Sequence, residues 1–284
     1  MKTLLFVLLS LSIPFFFKKE FRLPPICKVI PPYHADWDST PTKEILDILQ
    51  QSFSYLSSGN QTTVFISADR QYVLKLFKYN RSRFPLLHKW KNRFKKKPKD
   101  SLLTKMNKTC QAAYLGCGIA QAFTQGIYAH LNVSQGSLPQ VELIFRGRKY
   151  AAVLDRYRFI LQKRVTPFKE ALLSARGDSA KMKRLIRSFT LLLVHRSSLN
   201  ICNSDPNLGP NFGFLEEEAV ELDFGNYHII PRDPKRRIEE YDKLMDRFEE
   251  WVQKNTPEYL MDLKQLRLNT RSSYDADHES PKST

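Results

Sequence analysis

The stretch that most constrains this chain is a predicted hairpin between residues 205 and 227, DPNLGPNFGFLEEEAVELDFGNY. Two short apolar runs, at 212–215 and 219–222, flank a tight acidic turn, and this pattern predicts two antiparallel strands. Such a hairpin brings Asn211, before the first strand, close to Asp223, after the second strand. An amide oxygen and a carboxylate held side by side are ligand types that Mg²⁺, a hard cation, accepts.

The loop before the hairpin supplies a second carboxylate. Asp205 lies six residues before Asn211 in this loop, where its side chain could accept a proton from an incoming hydroxyl group. A proton acceptor beside two metal ligands is the layout of a phosphoryl-transfer site. We therefore predict that Asp205 is a catalytic base and that Asn211 and Asp223 hold Mg²⁺.

This loop and the Asp223-Phe224-Gly225 that ends the hairpin resemble the catalytic loop and the metal-binding segment of the protein-kinase-like superfamily. The resemblance implies ATP as the phosphoryl donor and the same three roles. The match is degenerate: Asn203-Ser204-Asp205 stands where the family has His-Arg-Asp, and no Ala-Pro-Glu follows Gly225. The Asn also comes six residues after the Asp instead of five.

A second stretch, residues 53–77, contains three strand-like runs separated by turn residues. Lys75 lies inside the apolar run YVLKLF, and a lysine among apolar side chains needs an anionic partner or access to water. The stretch resembles the kinase loop that covers the nucleotide phosphates, with Ser57, Gly59 and Thr62 at its three glycine positions. The resemblance implies that these residues and Lys75 contact ATP. The alternative is an edge-strand lysine beside an ordinary hairpin.

The family's usual acidic partner for this lysine is missing. Residues 109–131 form an apolar stretch that we predict to be helical, and there is no Asp or Glu between Asp100 and Glu142. The lysine–glutamate pair that positions phosphates in protein kinases therefore has no counterpart in its usual place. This absence favours a catalytically inactive scaffold.

These features predict an α+β, two-lobed kinase-like fold with an antiparallel-sheet N-lobe and a small helical C-lobe. We place an apolar segment at 1–22, a Pro-rich linker at 23–42, the N-lobe at 43–165, the C-lobe at 166–268 and a disordered tail at 269–284. A chain of 284 residues is long enough for two lobes. The chain is also similar to uncharacterised proteins of chlamydia-like bacteria, a resemblance that implies no activity.

The net charge of +16 is concentrated in residues 78–108, which carry 12 Lys or Arg against one acid. Aromatic residues interleave with these cations, so the segment suits an anionic membrane surface or, less naturally for this fold, a nucleic acid. A solvated basic loop is the remaining alternative. The four cysteines lack metal-ligand spacing and suit a reduced interior.

The first residues suggest contact with a membrane. Residues 3–17, TLLFVLLSLSIPFFF, carry no charge, and Lys18, Lys19 and Arg22 follow them. Fifteen residues suit an uncleaved anchor, a membrane-lying segment, a signal-like h-region or a buried helix. The flanking cations favour a cytoplasmic location for the body of the protein, although export stays open.

Three functional hypotheses follow. The first is a phosphotransferase that uses ATP and Mg²⁺ on a hydroxyl acceptor, such as a membrane-associated sugar or lipid. The second is a catalytically inactive pseudokinase that acts as a scaffold at a membrane or on a partner. The third is a basic nucleic-acid-binding protein.

Overall fold

The structure is a computed structural model that describes residues 33–59, 61–78, 102–203, 205, 207–230 and 234–279. The predicted apolar segment, half of the Pro-rich linker and most of the basic segment lie outside these residues. Among the described residues, no helix combines the length and apolar character needed to cross a bilayer.

The architecture is mixed α+β, and its largest element is a seven-stranded sheet within the described part of the chain. Its strands are β1 (Phe53–Ser58), β2 (Thr62–Ser67), β3 (Tyr72–Phe77), β4 (Gly126–His130), β5 (Gln140–Phe145), β6 (Arg148–Val153) and β7 (Phe159–Lys163). Their spatial order is β4-β7-β3-β2-β1-β5-β6. The predicted antiparallel sheet is therefore corrected to a mixed one, because β5 lies parallel to β1 while the other neighbours are antiparallel.

The helices of the described chain contribute buried side chains to the two apolar clusters, one on each face of this sheet. They are α1 (Lys43–Leu49), α2 (Leu102–Cys117), α3 (Gln121–Thr124), α4 (Phe168–Ser174), α5 (Ser179–Ser198), α6 (Leu208–Asn211), α7 (Pro234–Asn255) and α8 (Leu260–Glu279). Local signals set two helix starts: the Thr42 hydroxyl accepts the Ile45 N–H, and the Asp178 carboxylate accepts the Lys181 N–H.

The alternation along β3 divides the apolar core into two parts. Leu74 and Leu76 face one side, where they join a cluster with α1 and the β5–β6 hairpin. Phe77 faces the other side and belongs to a second cluster that includes α2 and the C-terminal helices. Because side chains alternate along a strand, Lys75 lies on the face of this second cluster.

Strands that follow the large sheet in sequence form two small sheets. In one, β10 (Phe212–Leu215) pairs with β11 (Glu218–Glu221) and with β8 (Thr166–Pro167). In the other, β9 (Ile201–Asn203) pairs with β12 (Tyr227–Ile229). The hairpin predicted between residues 212 and 222 is confirmed, with Phe212 opposite Glu221 and Leu215 opposite Glu218.

Three element predictions differ from the structure. Residues 109–131 are not one helix, because β4 occupies Gly126–His130 and pairs with β7 in the sheet. The apolar stripe from Met182 to Leu199 predicts a single helix over 167–198, but the structure divides this stretch into α4 and α5, and Asp178 caps the second. Helix α8 continues to Glu279, past the point where the sequence predicted a disordered tail to begin.

Candidate active site

Lys75 reaches across the space between the large sheet and the hairpin. Its Nζ donates a hydrogen bond to the carbonyl oxygen of Leu222, at 2.6 Å, and lies 5.7 Å from the centre of the Phe224 ring. Burial lowers the pKa of Lys75 to about 8, and the nearby Asp223 carboxylate opposes that shift. Lys75 on strand β3 is therefore brought to Leu222, which is 147 residues away in sequence and directly precedes Asp223.

Phe224 fixes the position of this segment against α2. The phenylalanine is 2 % exposed, and a Cβ added to Gly116 would lie 2.2 Å from its Cδ2 atom. Only a glycine at position 116 leaves room for the ring on the face of α2. Because Phe224 is held in this way, its neighbour Asp223 stays exposed beside Lys75.

Asn211 and Asp223 are adjacent, as the hairpin predicted. The Asn211 carbonyl accepts the N–H groups of Leu222, at 2.6 Å, and of Asp223, at 3.4 Å. The Asn211 side chain is 2 % exposed, and its Nδ2 donates to the carbonyl of Asp205 at 2.9 Å. One residue thus joins the loop of the predicted base to the segment of the predicted metal ligand.

A further residue, Asn203, ties the same two segments together. Its Oδ1 accepts the Asp205 N–H at 3.0 Å, and its Nδ2 donates to the Asp223 carbonyl at 2.8 Å. The same Nδ2 lies 2.7 Å from Glu221 Oε1, and the Asn203 N–H donates to Glu240 Oε1 at 2.8 Å. Asn203 is 5 % exposed.

Asn203 is hydrogen-bonded to a buried ionic network that the sequence did not predict. Arg196 on α5 donates to both oxygens of Glu221, at 2.8 Å each, and to Glu240 on α7. The Tyr227 hydroxyl donates to Glu221 Oε2 at 2.6 Å. The two carboxylates raise the pKa of Arg196 against the opposing effect of burial, so the guanidinium stays charged. The available signal was Glu221 itself, an acid in the otherwise apolar run 219–222, which overlaps β11.

The predicted covering loop forms the turn between β1 and β2. The Gly59 N–H donates to the Thr62 carbonyl at 3.0 Å, and Lys78 Nζ donates to the Gly59 carbonyl at 2.6 Å. Gln61 reaches the hairpin end, where its Nε2 donates to Asn226 Oδ1 at 3.3 Å. Ser57 is exposed and pairs with Val64 in the register of β1 and β2. The loop therefore lies against the Asp223 segment, with the Gly59 N–H already used within the turn.

Cys117, at the end of α2, is close enough to Lys75 for the two groups to interact electrostatically. Burial raises the pKa of its thiol to about 12, and the Lys75 charge opposes that shift. The thiol is therefore neutral at physiological pH and gives Lys75 no anionic partner. Asp223 is the carboxylate that the pKa of Lys75 responds to.

The oxygen donors present match a magnesium ion better than a transition metal. Asp223 offers a carboxylate, and Asn211 keeps its amide oxygen because its Nδ2 is used by Asp205. Both are hard ligands of the kind that Mg²⁺ binds together with water and substrate phosphates. Within the described residues, no group of three or more His, Cys, Asp or Glu side chains is placed to hold a metal.

No family model and no curated protein matches the chain. The structure has a distant likeness to solved protein kinase domains. The ROP18 kinase domain in complex with AMP-PNP and sucrose matches at 16% identity with a TM-score of 0.37, over 62% of this chain and 51% of that one. Two structures of WbdD, a bifunctional kinase-methyltransferase, match at 11% and 13% identity with TM-scores of 0.35 and 0.34. They cover 66% and 68% of this chain, and this chain spans 34% and 37% of theirs.

Proposed function

We propose that this protein is a two-lobed, kinase-like phosphotransferase that transfers a phosphoryl group from ATP to a hydroxyl acceptor. The observation that carries the proposal is the convergence of Lys75, Asp223 and Asn211. Lys75 Nζ bonds to the carbonyl of Leu222, beside Asp223, and the Asn211 carbonyl accepts the N–H groups of both residues, so an amine, a carboxylate and an amide residue come together at the end of one hairpin. Phosphoryl transfer depends mainly on positioning and on charge stabilisation, and these groups suit both tasks.

Each side chain has a definite role in this proposal. Asp205 accepts the proton of the acceptor hydroxyl, and Lys75 binds the ATP phosphates under the loop that contains Ser57, Gly59 and Thr62. Asn211 and Asp223 would hold Mg²⁺, which supplies positive charge near the transferred group when it is bound.

The acceptor in this proposal is a membrane-associated sugar or lipid. Its basis is the sequence: the uncharged residues 3–17 and the basic residues 78–108 both suit an anionic membrane. The body of the protein would lie on the cytoplasmic side, where ATP is present.

A second candidate is a pseudokinase scaffold at a membrane or on a partner, and three observations favour it. No acid in α2 pairs with Lys75, because the helix contains neither Asp nor Glu. Lys75 is bonded to a backbone carbonyl, and the Gly59 N–H is bonded within its own turn. A scaffold depends on the fold, and it does not need the Lys75 amine or the Gly59 N–H to be free to bind ATP.

Turnover separates the two candidates. The full-length protein is incubated with Mg²⁺ and γ-labelled ATP, and label transfer to membrane lipid and glycolipid extracts is measured beside nucleotide binding. The phosphotransferase proposal expects transfer by the wild type, and Asp205→Asn should still bind ATP while transfer falls at least about 100-fold. Binding without transfer in the wild type would support the pseudokinase.

A further inference from the structure

The hairpin of β5 and β6 is closed by a basic turn whose backbone conformation is unfavourable for an arginine. Arg146 and Gly147 have φ values of +50° and +74°, the left-handed region, in a two-residue connection. Asn, Asp and Gly are the usual residues in such turns, because a side chain with a Cβ is strained there. An arginine at this position does not help the turn to form, so its guanidinium invites a functional explanation.

Apolar side chains lie beside this turn. The Arg146 guanidinium is 5.2 Å from the centre of the Phe145 ring, and that ring meets Tyr55 edge to face at 4.8 Å. Leu56 follows Tyr55 at a β-bulge and is 49% exposed. Arg146 and the exposed Leu56 thus directly follow, in sequence, the two members of the Phe145–Tyr55 pair.

The charge of the turn is largely uncompensated. Arg146, Arg148 and Lys149 are all exposed. In the part of the chain that the structure describes, Lys149 pairs with Glu142 at 3.1 Å, while neither arginine has a carboxylate partner. The turn therefore presents two unpaired cations next to Leu56.

We propose that Leu56, Arg146 and Arg148, the basic tip, form a docking surface for an anionic phospholipid bilayer. The arginines complement the headgroup charge, and Leu56 gains by entering the headgroup boundary. A nucleic acid would use the cations but offers an exposed leucine no comparable environment. Leu56 also directly precedes Ser57, the first of the predicted covering-loop residues, so a docked tip would bring that end of β1 close to the bilayer. The idea that the bilayer also carries the phosphoryl acceptor rests on the proposed function; the docking surface itself does not.

The first test is vesicle co-sedimentation of the full-length protein with phosphatidylcholine alone and with added phosphatidylglycerol. We expect the double variant Arg146→Glu/Arg148→Glu to lower the partition coefficient for anionic vesicles at least about 25-fold, at about 5-fold for each cation. The matched control, Arg187→Glu/Lys264→Glu, makes the same charge change at exposed positions on α5 and α8 and should bind nearly as the wild type does.

A second test reads depth at the tip itself. In Leu56→Trp, bromine-labelled acyl chains in anionic vesicles should quench the added indole fluorescence. Met261→Trp, at a position on α8 that is 74% exposed, should show no such quenching. Unquenched Leu56→Trp in vesicle-bound protein would overturn the proposal even if the arginine variant were misfolded.

The remaining outcomes are equally decisive. Equal binding of the tip variant and the wild type to anionic vesicles would overturn the proposal. Loss of binding to a DNA duplex with unchanged vesicle binding would overturn it in favour of nucleic acid. A wild type that fails to bind ATP, while the tip variant loses vesicle binding, would leave the docking surface standing and remove the proposed phosphotransferase.

Discussion

The Nζ of Lys75 lies 2.6 Å from the carbonyl oxygen of Leu222, the residue immediately before Asp223. This hydrogen bond connects the large sheet to the hairpin end, and α2 contains no Asp or Glu that could pair with the amine. Burial lowers the pKa of the amine to about 8, and the neighbouring Asp223 carboxylate opposes that shift. Its charge state therefore changes within an accessible pH range.

The first prediction concerns proton uptake on nucleotide binding. Burial puts the pKa of Lys75 at about 8 in the free protein, and anionic phosphates would raise it, so ATP should bind together with a proton. At pH 8.5 the uptake should be about 0.7 proton for each ATP bound. Calorimetry in two buffers of different ionisation enthalpy measures it, and affinity should fall as the pH rises above about 8.

Lys75→Arg is the matched control, since arginine stays charged throughout this range and should take up no proton. Binding enthalpies that are independent of the buffer at pH 8.5 in the wild type would contradict the assignment. The direction in which stability changes with pH also follows for the protein without ligand. The unfolded chain binds more protons between pH 8 and 10.5, so the contribution of Lys75 to stability should increase as the pH rises through that window.

Gly116→Ala should destabilise the protein by displacing the Phe224 ring. The added Cβ would meet ring atoms at 2.2–2.8 Å, and overpacking of this kind costs about 1–3 kcal/mol, less about 1 kcal/mol gained from better helix propensity. Urea unfolding measures the change. Gly177→Ala, which meets nothing within 4 Å, is the control and should not lose stability. Adding Phe224→Leu to Gly116→Ala should recover part of the loss; no recovery would argue against the ring as the cause.

Glu221→Gln should lower the free energy of unfolding by about 3 kcal/mol, because it removes one carboxylate from a buried arginine. Arg196 and Glu221 have side chains that are 3% and 0% exposed. The comparison is Glu217→Gln, whose partner Arg184 is 54% exposed, and this variant should unfold as the wild type does. Equal stability of the two variants in urea unfolding would show that the buried network does not hold the site.

The sequence predicted the parts of the site that depend on local patterns. Two apolar runs around an acidic turn predicted the hairpin, and the hairpin placed Asn211 beside Asp223. The three strand-like runs of residues 53–77 are strands β1, β2 and β3, and Lys75 lies in the third. These predictions succeeded because a strand period of two and a tight turn are properties of adjacent residues.

The rest depended on partners that are distant in sequence. Arg196, Asn203, Glu221 and Glu240 come from four separate elements, and no local pattern predicts which acid meets the arginine. Strand β4 was predicted as helix because its identity comes from pairing with β7, not from its own residues. The mixed sheet likewise depends on where the β5–β6 hairpin adds to β1.

The most direct test of the central claim is the melting temperature of the full-length protein with ATP, with and without Mg²⁺, beside Asp223→Ala. Ligand at 100 times its Kd stabilises the folded state by about 2.7 kcal/mol, which corresponds to a rise of roughly 5 °C in a protein of this size. We predict this rise only with Mg²⁺, its loss in Asp223→Ala and its retention in Asp205→Asn. No rise at millimolar ATP, or an equal rise in Asp223→Ala, would contradict it.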